Sequence, residues 1–223
     1  MEFFSNVIKI LSKYWKVFLV KGVSYTLLLS VITVFFGAIL GILIALGRNT
    51  KIAPLRWFIR AFVEIIRGTP MLLQLYVAVF LVPKLLSFYV SDFASVSVAL
   101  VLNSAAYVSE VFRSGIQAVD RGQTEAARSL GLSSRQTFMK VVLPQAIKNI
   151  LPALGNEFIM IVKDTSLAST FFIGEIMTAC IVVKGNTYLT FECMFIVAVI
   201  YFVLTFVLSK VFGKIERGLK ASD

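Results

Sequence analysis

The sequence has 223 residues, 58% of them hydrophobic, with a mean hydropathy of +0.88 and a formal net charge of +10. That hydropathy excludes an ordinary soluble domain and indicates an integral membrane protein, in which cationic loops beside the membrane explain the charge better than nucleic-acid binding does. Histidine is absent and Cys180 and Cys193 form no metal-ligand spacing, so neither a metal nor a cofactor is expected.

Residues 1–21 are expected to form an amphipathic helix in the membrane interface rather than a cleavable signal. Lys9, Lys13 and Lys16 fall at helical spacing opposite Phe4, Ile8, Leu11, Trp15 and Phe18. The first span, 22–47, is apolar apart from hydroxyls, and at ~1.5 Å per residue it crosses a hydrocarbon core of ~30 Å. Its Gly37 and Gly41, spaced GxxxG, allow close helix packing. Pro54 is placed to open the next helix. The apolar run Met71 to Val82 covers only about 18 Å and must borrow from Trp57 to Ile66. The second span is therefore 55–83, a long helix bent near Gly68-Thr69-Pro70. Arg56, Arg60, Glu64 and Arg67 share its charged face, and Arg60–Glu64 has ion-pair spacing.

The third span, 94–117, is rich in Ser and Ala, which favours tight, buried packing. Asn103, Tyr107 and Glu110 form one polar stripe on it. Glu110 suits a structural ion pair with Arg113 slightly better than a place on a solute path. Residues 120–144 form a polar loop. A short helix runs from an N-cap at Thr124 to a stop at Gly131, and a second opens with the capping-box spacing Ser133-x-x-Gln136 and is interrupted at Pro144. Such a knob suits docking of a soluble partner.

The fourth span, 145–166, carries Glu157 and Asp164, two turns less ~20° apart and hence on one face, with Asn156 beside it. Carboxylates within a span mark a binding site or pathway by default; for Asp164, a helix end at the outer interface is an equal reading. Residues 167–188 are expected to form a partly helical outer-face excursion, a gate or a docking surface. The last span is 188–212. Loops around 48–67 and 113–148 and the C-terminus hold five, six and four of the 22 Lys and Arg residues, while the loops near 84 and 184 hold one each. That bias places the 120–144 loop and the C-terminus in the cytoplasm. The N-terminal lysines then lie outside, against the rule, where an interfacial helix tolerates them.

The 120–144 loop also resembles the EAA loop of the inner-membrane permease subunits of ATP-binding-cassette importers. Glu125, Ala126, Ala127, Gly131, Val141, Leu143 and Pro144 meet the spacing of that pattern, with Val141 where Ile is usual. The string Glu64 to Pro70 with Leu72, Leu73 and Gln74 resembles the polar amino-acid branch of the same family. So do Leu154 to Phe158 and Lys163 to Leu167. The resemblance implies an all-α fold of about five transmembrane helices, the type I importer permease, in the bacterial cytoplasmic membrane. It also implies a coupling loop in which Glu125, Ala126, Ala127, Gly131 and Pro144 meet a separate ATPase. An extracytoplasmic solute-binding protein and a second permease subunit, identical or paralogous, complete the expected set, with membrane lipid around them. The amino-acid solute is expected between the third and fourth spans, giving the candidates Asn103, Tyr107, Glu110, Asn156, Glu157 and Asp164.

The chain has no phosphate-binding G-x-x-x-x-G-K-[ST] loop and no nucleophile–base constellation, so it is not read as an enzyme. Two acids on one face suit a basic amino acid, whereas Lys163 neutralising Asp164 would suit glutamine or cystine. Two rivals stand beside the importer. A self-contained secondary transporter or small channel would use the intramembrane acids, although five spans allow no even inverted repeat. A purely structural subunit would use them only to pair with arginines.

Overall fold

No proline interrupts the first long stretch of the chain, and it folds as one helix. In the computed structural model, which describes residues 2–220, α1 runs over Glu2–Gly47. It is followed by α2 (Ala53–Gly68), α3 (Met71–Leu86), α4 (Asp92–Gln117), α5 (Arg121–Ser129), α6 (Ser134–Phe171), α7 (Ile176–Thr187) and α8 (Thr190–Lys220). No strand occurs among the described residues. By length and composition α1, α4 and α8 can each cross a membrane, and the number rises to five if the bent pairs α2–α3 and α6–α7 each count as one span.

The helices contribute to two compact units. The first takes the chain up to Phe35, Thr69–Val101 and Phe158–Leu208; the second takes Phe36–Gly68, Leu102–Glu157 and the chain from Ser209.

Two expectations change in the first unit. The N-terminal segment is not a separate interfacial helix but the opening of α1, carried into the apolar run by a turn of π geometry at Lys16–Gly22. Val7, Ile10 and Phe18 are buried with Ile176, Val183 and Cys193 in one core cluster, while Phe4, Ile8 and Trp15 stay exposed. The buried face is thus the neighbour of the one that the lysine spacing singles out. The stretch 167–188 is also no surface excursion. α6 ends where Phe172 turns left-handed (φ 53°), and α7 enters the core with Ile176, Cys180 and Val183 fully buried.

Glu175 explains why a polar stretch can sit there. It is fully buried, and its carboxylate caps α7 by accepting from the amides of Met177 (2.6 Å) and Thr178 (2.7 Å). The Thr178 hydroxyl (2.7 Å) and the Tyr201 hydroxyl (3.2 Å) donate to it as well. Four donors to one carboxylate satisfy both the acid and the helix start.

In the second unit the GxxxG pair packs α1 against α4. A Cβ added at Gly37 would lie 2.7 Å from Ser104 Oγ, and one at Gly41 2.7 Å from Val108 Cγ1 and 3.0 Å from the Ala105 carbonyl. Ser104, Ala105, Val108 and Ser109 are correspondingly buried. Between apolar helices in lipid such close approach is the main available attraction. Gly41→Ala is therefore expected to destabilise the protein by about 1–3 kcal/mol through overpacking. Gly185→Ala, at an exposed helical position with open space around it, should be neutral or stabilising by under ~1 kcal/mol. Thermal unfolding of both variants in detergent checks the contrast.

Two prolines behave differently from expectation. The second span is not one bent helix: α2 stops at Gly68, and Pro70 is extended (ψ 136°) before α3 begins. Pro144, in contrast, does not interrupt its helix. A π turn at Phe138–Val142 directly precedes it, and α6 continues through to Phe171. A proline lacks the amide hydrogen and its ring crowds the carbonyl four residues back; a wider turn placed there relieves both problems. Pro83 follows a π turn at Val77–Leu81 in the same way.

Candidate functional site

The loop that the chain's polarity marks as a docking knob is built from local signals. α5 starts earlier than its expected Thr124 cap: Asp120 is the N-cap, its Oδ1 accepting from the Gly122 amide at 2.7 Å. Glu125 and Ala126 are exposed on α5, and Ala127 is buried beneath them. The helix ends at Gly131, whose φ of +84° is left-handed. The Leu132 amide donates to the Ala127 carbonyl (3.2 Å) and the Gly131 amide to that of Arg128 (3.0 Å). These two bonds form a Schellman motif.

The next turn opens at once with a complete capping box. Ser133 N–H donates to Gln136 Oε1 (2.9 Å), and Gln136 N–H donates to Ser133 Oγ (3.3 Å). Beyond Pro144, the Gln145 side-chain amide donates to the Val141 carbonyl at 3.0 Å, on the wide turn.

The knob is fixed at both ends to helices that pack closely within the same unit. A Cβ at Gly115 on α4 would run into the Ile150 side chain on α6. α4 and α6, the two helices that the knob connects, are thus in close contact beside it.

Glu110 sits at the centre of an ion cluster. Its carboxylate accepts from Arg48 and, at 2.8 and 2.7 Å, from Nε and Nη2 of Arg113, and Arg67 lies 3.9 Å away. The guanidinium of Arg67 also stands 5.3 Å from the Tyr107 ring centroid, a cation–π distance. Two members of the expected polar stripe, Tyr107 and Glu110, are thus joined through Arg67, while Asn103 is buried further along α4. Arg60 and Glu64 form no ion pair despite their spacing. Arg48 and Arg67 were not legible as partners of Glu110, since Arg48 is 62 residues away in sequence.

The remaining candidates lie on α6. Asn156 is exposed, Glu157 and Asp164 are half-buried, and Lys163 is exposed. Both acids belong to the regular α-helical stretch Leu143–Asp164, Glu157 in its part within the second unit and Asp164 in its part within the first.

Comparison with known proteins fits this anatomy. The chain is 38% identical to the arginine transport system permease protein ArtQ of Bacillus subtilis, over 92% of this chain and 94% of that one. It is 40% identical to a putative glutamine transport system permease protein, GlnP, of Rickettsia bellii, over 92% and 94%. A crystal structure of an amino acid ABC transporter with histidines superposes with a TM-score of 0.89 at 40% identity, over 93% of this chain and 96% of that one. Residues 37–221 match the binding-protein-dependent transport system inner membrane component. The knob, the helices and the match over most of the chain agree: this is a multi-pass membrane protein of that family, a transport component rather than an enzyme.

Proposed function

We propose that this chain is the permease subunit of an ATP-driven amino-acid importer, and that its solute is polar and basic. The observation that carries the proposal is the knob. Exposed Glu125 and Ala126, a Schellman stop at Gly131 and a capping box give it a fixed shape, and it leads at both ends into long helices. The chain itself has no phosphate-binding loop, so a separate ATPase is the partner for Glu125, Ala126, Ala127, Gly131 and Pro144. A second permease subunit, identical or paralogous, closes the pore, and an extracytoplasmic solute-binding protein delivers the solute. The positive-inside bias puts the knob and the C-terminus in the cytoplasm.

Relatives named for arginine and for glutamine transport stand at similar identity, which supports a polar amino acid as the class. The narrower choice rests on Glu157. It is a half-buried acid within a helical span, the placement in which an acid serves a solute or ion path, with Asn156 and Asp164 as further donors and acceptors. Glu110 is left out of the solute set because its carboxylate already answers to arginines. Asn103 and Tyr107 remain candidates on α4.

With the ATPase and binding protein present, Glu157→Gln should lower uptake of arginine, lysine and histidine about tenfold, the worth of one charge-assisted hydrogen bond. Glutamine uptake should change little. Unchanged uptake of the basic amino acids would reject the basic-solute assignment, and transport by the chain without any ATPase would reject the importer.

A further inference from the structure

We propose that the second unit carries a binding site for an anionic phospholipid, seated where α1 and α4 end beside the knob. A cavity of about 540 Å³ there is lined by Arg48, Arg60 and Arg113, with Ile42 and Leu46 on its apolar wall and Phe138 of the knob at its edge.

The first argument is charge. Arg48, Arg67 and Arg113 all converge on Glu110, and Arg60 has no carboxylate within ion-pair distance among the described residues. Three guanidinium groups therefore share one acid, and a fourth, on the cavity wall, has none within reach among the described residues. Part of this cluster is shielded from solvent, with the side chains of Arg48 and Glu110 only 20% and 15% exposed. Unbalanced charge in such surroundings favours an anionic counter-group. Guanidinium pairs well with phosphate oxygens because its planar fork matches them.

The second argument is depth and polarity. Arg48 directly follows the end of α1 at Gly47, and Gln117, also on the cavity wall, is the last residue of α4. Helix ends lie at headgroup level. Ile42 and Leu46 are exposed apolar residues within the last two turns of α1, deeper than Arg48. The arginines thus meet a phosphate diester while an acyl chain runs along Ile42 and Leu46. A soluble phosphate would satisfy only the arginines. Basic pockets at helix ends are a known physical setting for acidic lipid headgroups. Because Phe138 borders the cavity, the lipid would touch the π turn in the first part of α6.

Native mass spectrometry of the assembled permease–ATPase complex, titrated with phosphatidylglycerol or phosphatidylcholine, tests this. Arg60→Gln is the informative variant because Arg60 is exposed and has no ion pair among the described residues, so little of the fold rests on its charge. The expected result is preferential retention of phosphatidylglycerol, reduced about fivefold by Arg60→Gln, the worth of one basic residue at an anionic lipid surface. Phosphatidylcholine retention should be unaffected. Equal retention of the two lipids, or of phosphatidylglycerol by wild type and variant, overturns the proposal. So does displacement of phosphatidylglycerol by inorganic phosphate, which would mark a soluble-anion site. Failure of the assembled complex to retain any lipid that the permease alone retains would mean that protein covers the cavity, and also overturns it.

Discussion

Gly131→Asp should abolish ATP-driven uptake while leaving the permease folded and inserted. Two features at this position separate the effect on coupling from the effect on stability. The left-handed backbone at Gly131 costs an L-residue ~1–2 kcal/mol, and Asp is among the residues that tolerate it best. A Cβ added there meets nothing within 4 Å among the described residues, so no clash with them is available to explain a loss of function. What Asp adds is a negative charge on the outer surface of the knob, where a partner has to fit. Gly131→Ala carries the backbone cost without the charge and should reduce uptake only modestly. Solute uptake, measured beside membrane insertion and the ATPase response to loaded binding protein, separates the cases. Wild-type uptake by Gly131→Asp would mean that this knob is not the coupling element.

The second large effect is expected at Glu110. Glu110→Gln removes the carboxylate on which Arg48, Arg67 and Arg113 converge. Breaking a fully buried pair in this way costs 3–5 kcal/mol. Here the side chains of Arg67 and Arg113 are 43% and 45% exposed, and water takes up part of the loss, so about 2–3 kcal/mol is expected. The thermal midpoint in detergent should fall while the order of preference among amino acids stays the same. The double variant Glu110→Leu with Arg48→Leu should recover part of the loss, because a pair replaced by apolar groups leaves less charge stranded. A variant as stable as wild type but altered in solute preference would return Glu110 to the transport path.

Features written in neighbouring residues were legible in the chain. The stop at Gly131 and the box between Ser133 and Gln136 depend on residues within a few positions of one another, and both appear in the structure. The small residues of α4 are buried because lipid offers no other reason to gather them on one helix. Features that depend on distant partners were not legible. Glu110 finds Arg48 only once α1 and α4 are packed, whereas Arg60 and Glu64, correctly spaced, do not pair. Residues 167–188 looked like surface because polar groups were counted singly; Glu175, Thr178 and Tyr201 satisfy one another inside the core. Asp120 outcompeted Thr124 as a cap by lying one turn earlier, which lengthened α5. The roles of Asn103, Tyr107, Asn156, Glu157 and Asp164 are questions of solute contact, which uptake measurements on substituted permeases address.

The wide turn at Phe138–Val142 also sets the phase of everything that follows it. A π turn holds one residue more than an α turn, so each later side chain is rotated by about 100° from where an unbroken α-helix would place it. The azimuth of Glu157, relative to the helix start at Ser134, thus contains that extra residue. Deleting one residue from 138–142 would let the helix close into ordinary α geometry upstream of Pro144 while keeping the later residues near their present orientation. Inserting one into the regular stretch beyond it would instead swing Glu157 by about a quarter turn. The length of this segment is therefore an alignment device as well as an accommodation of proline.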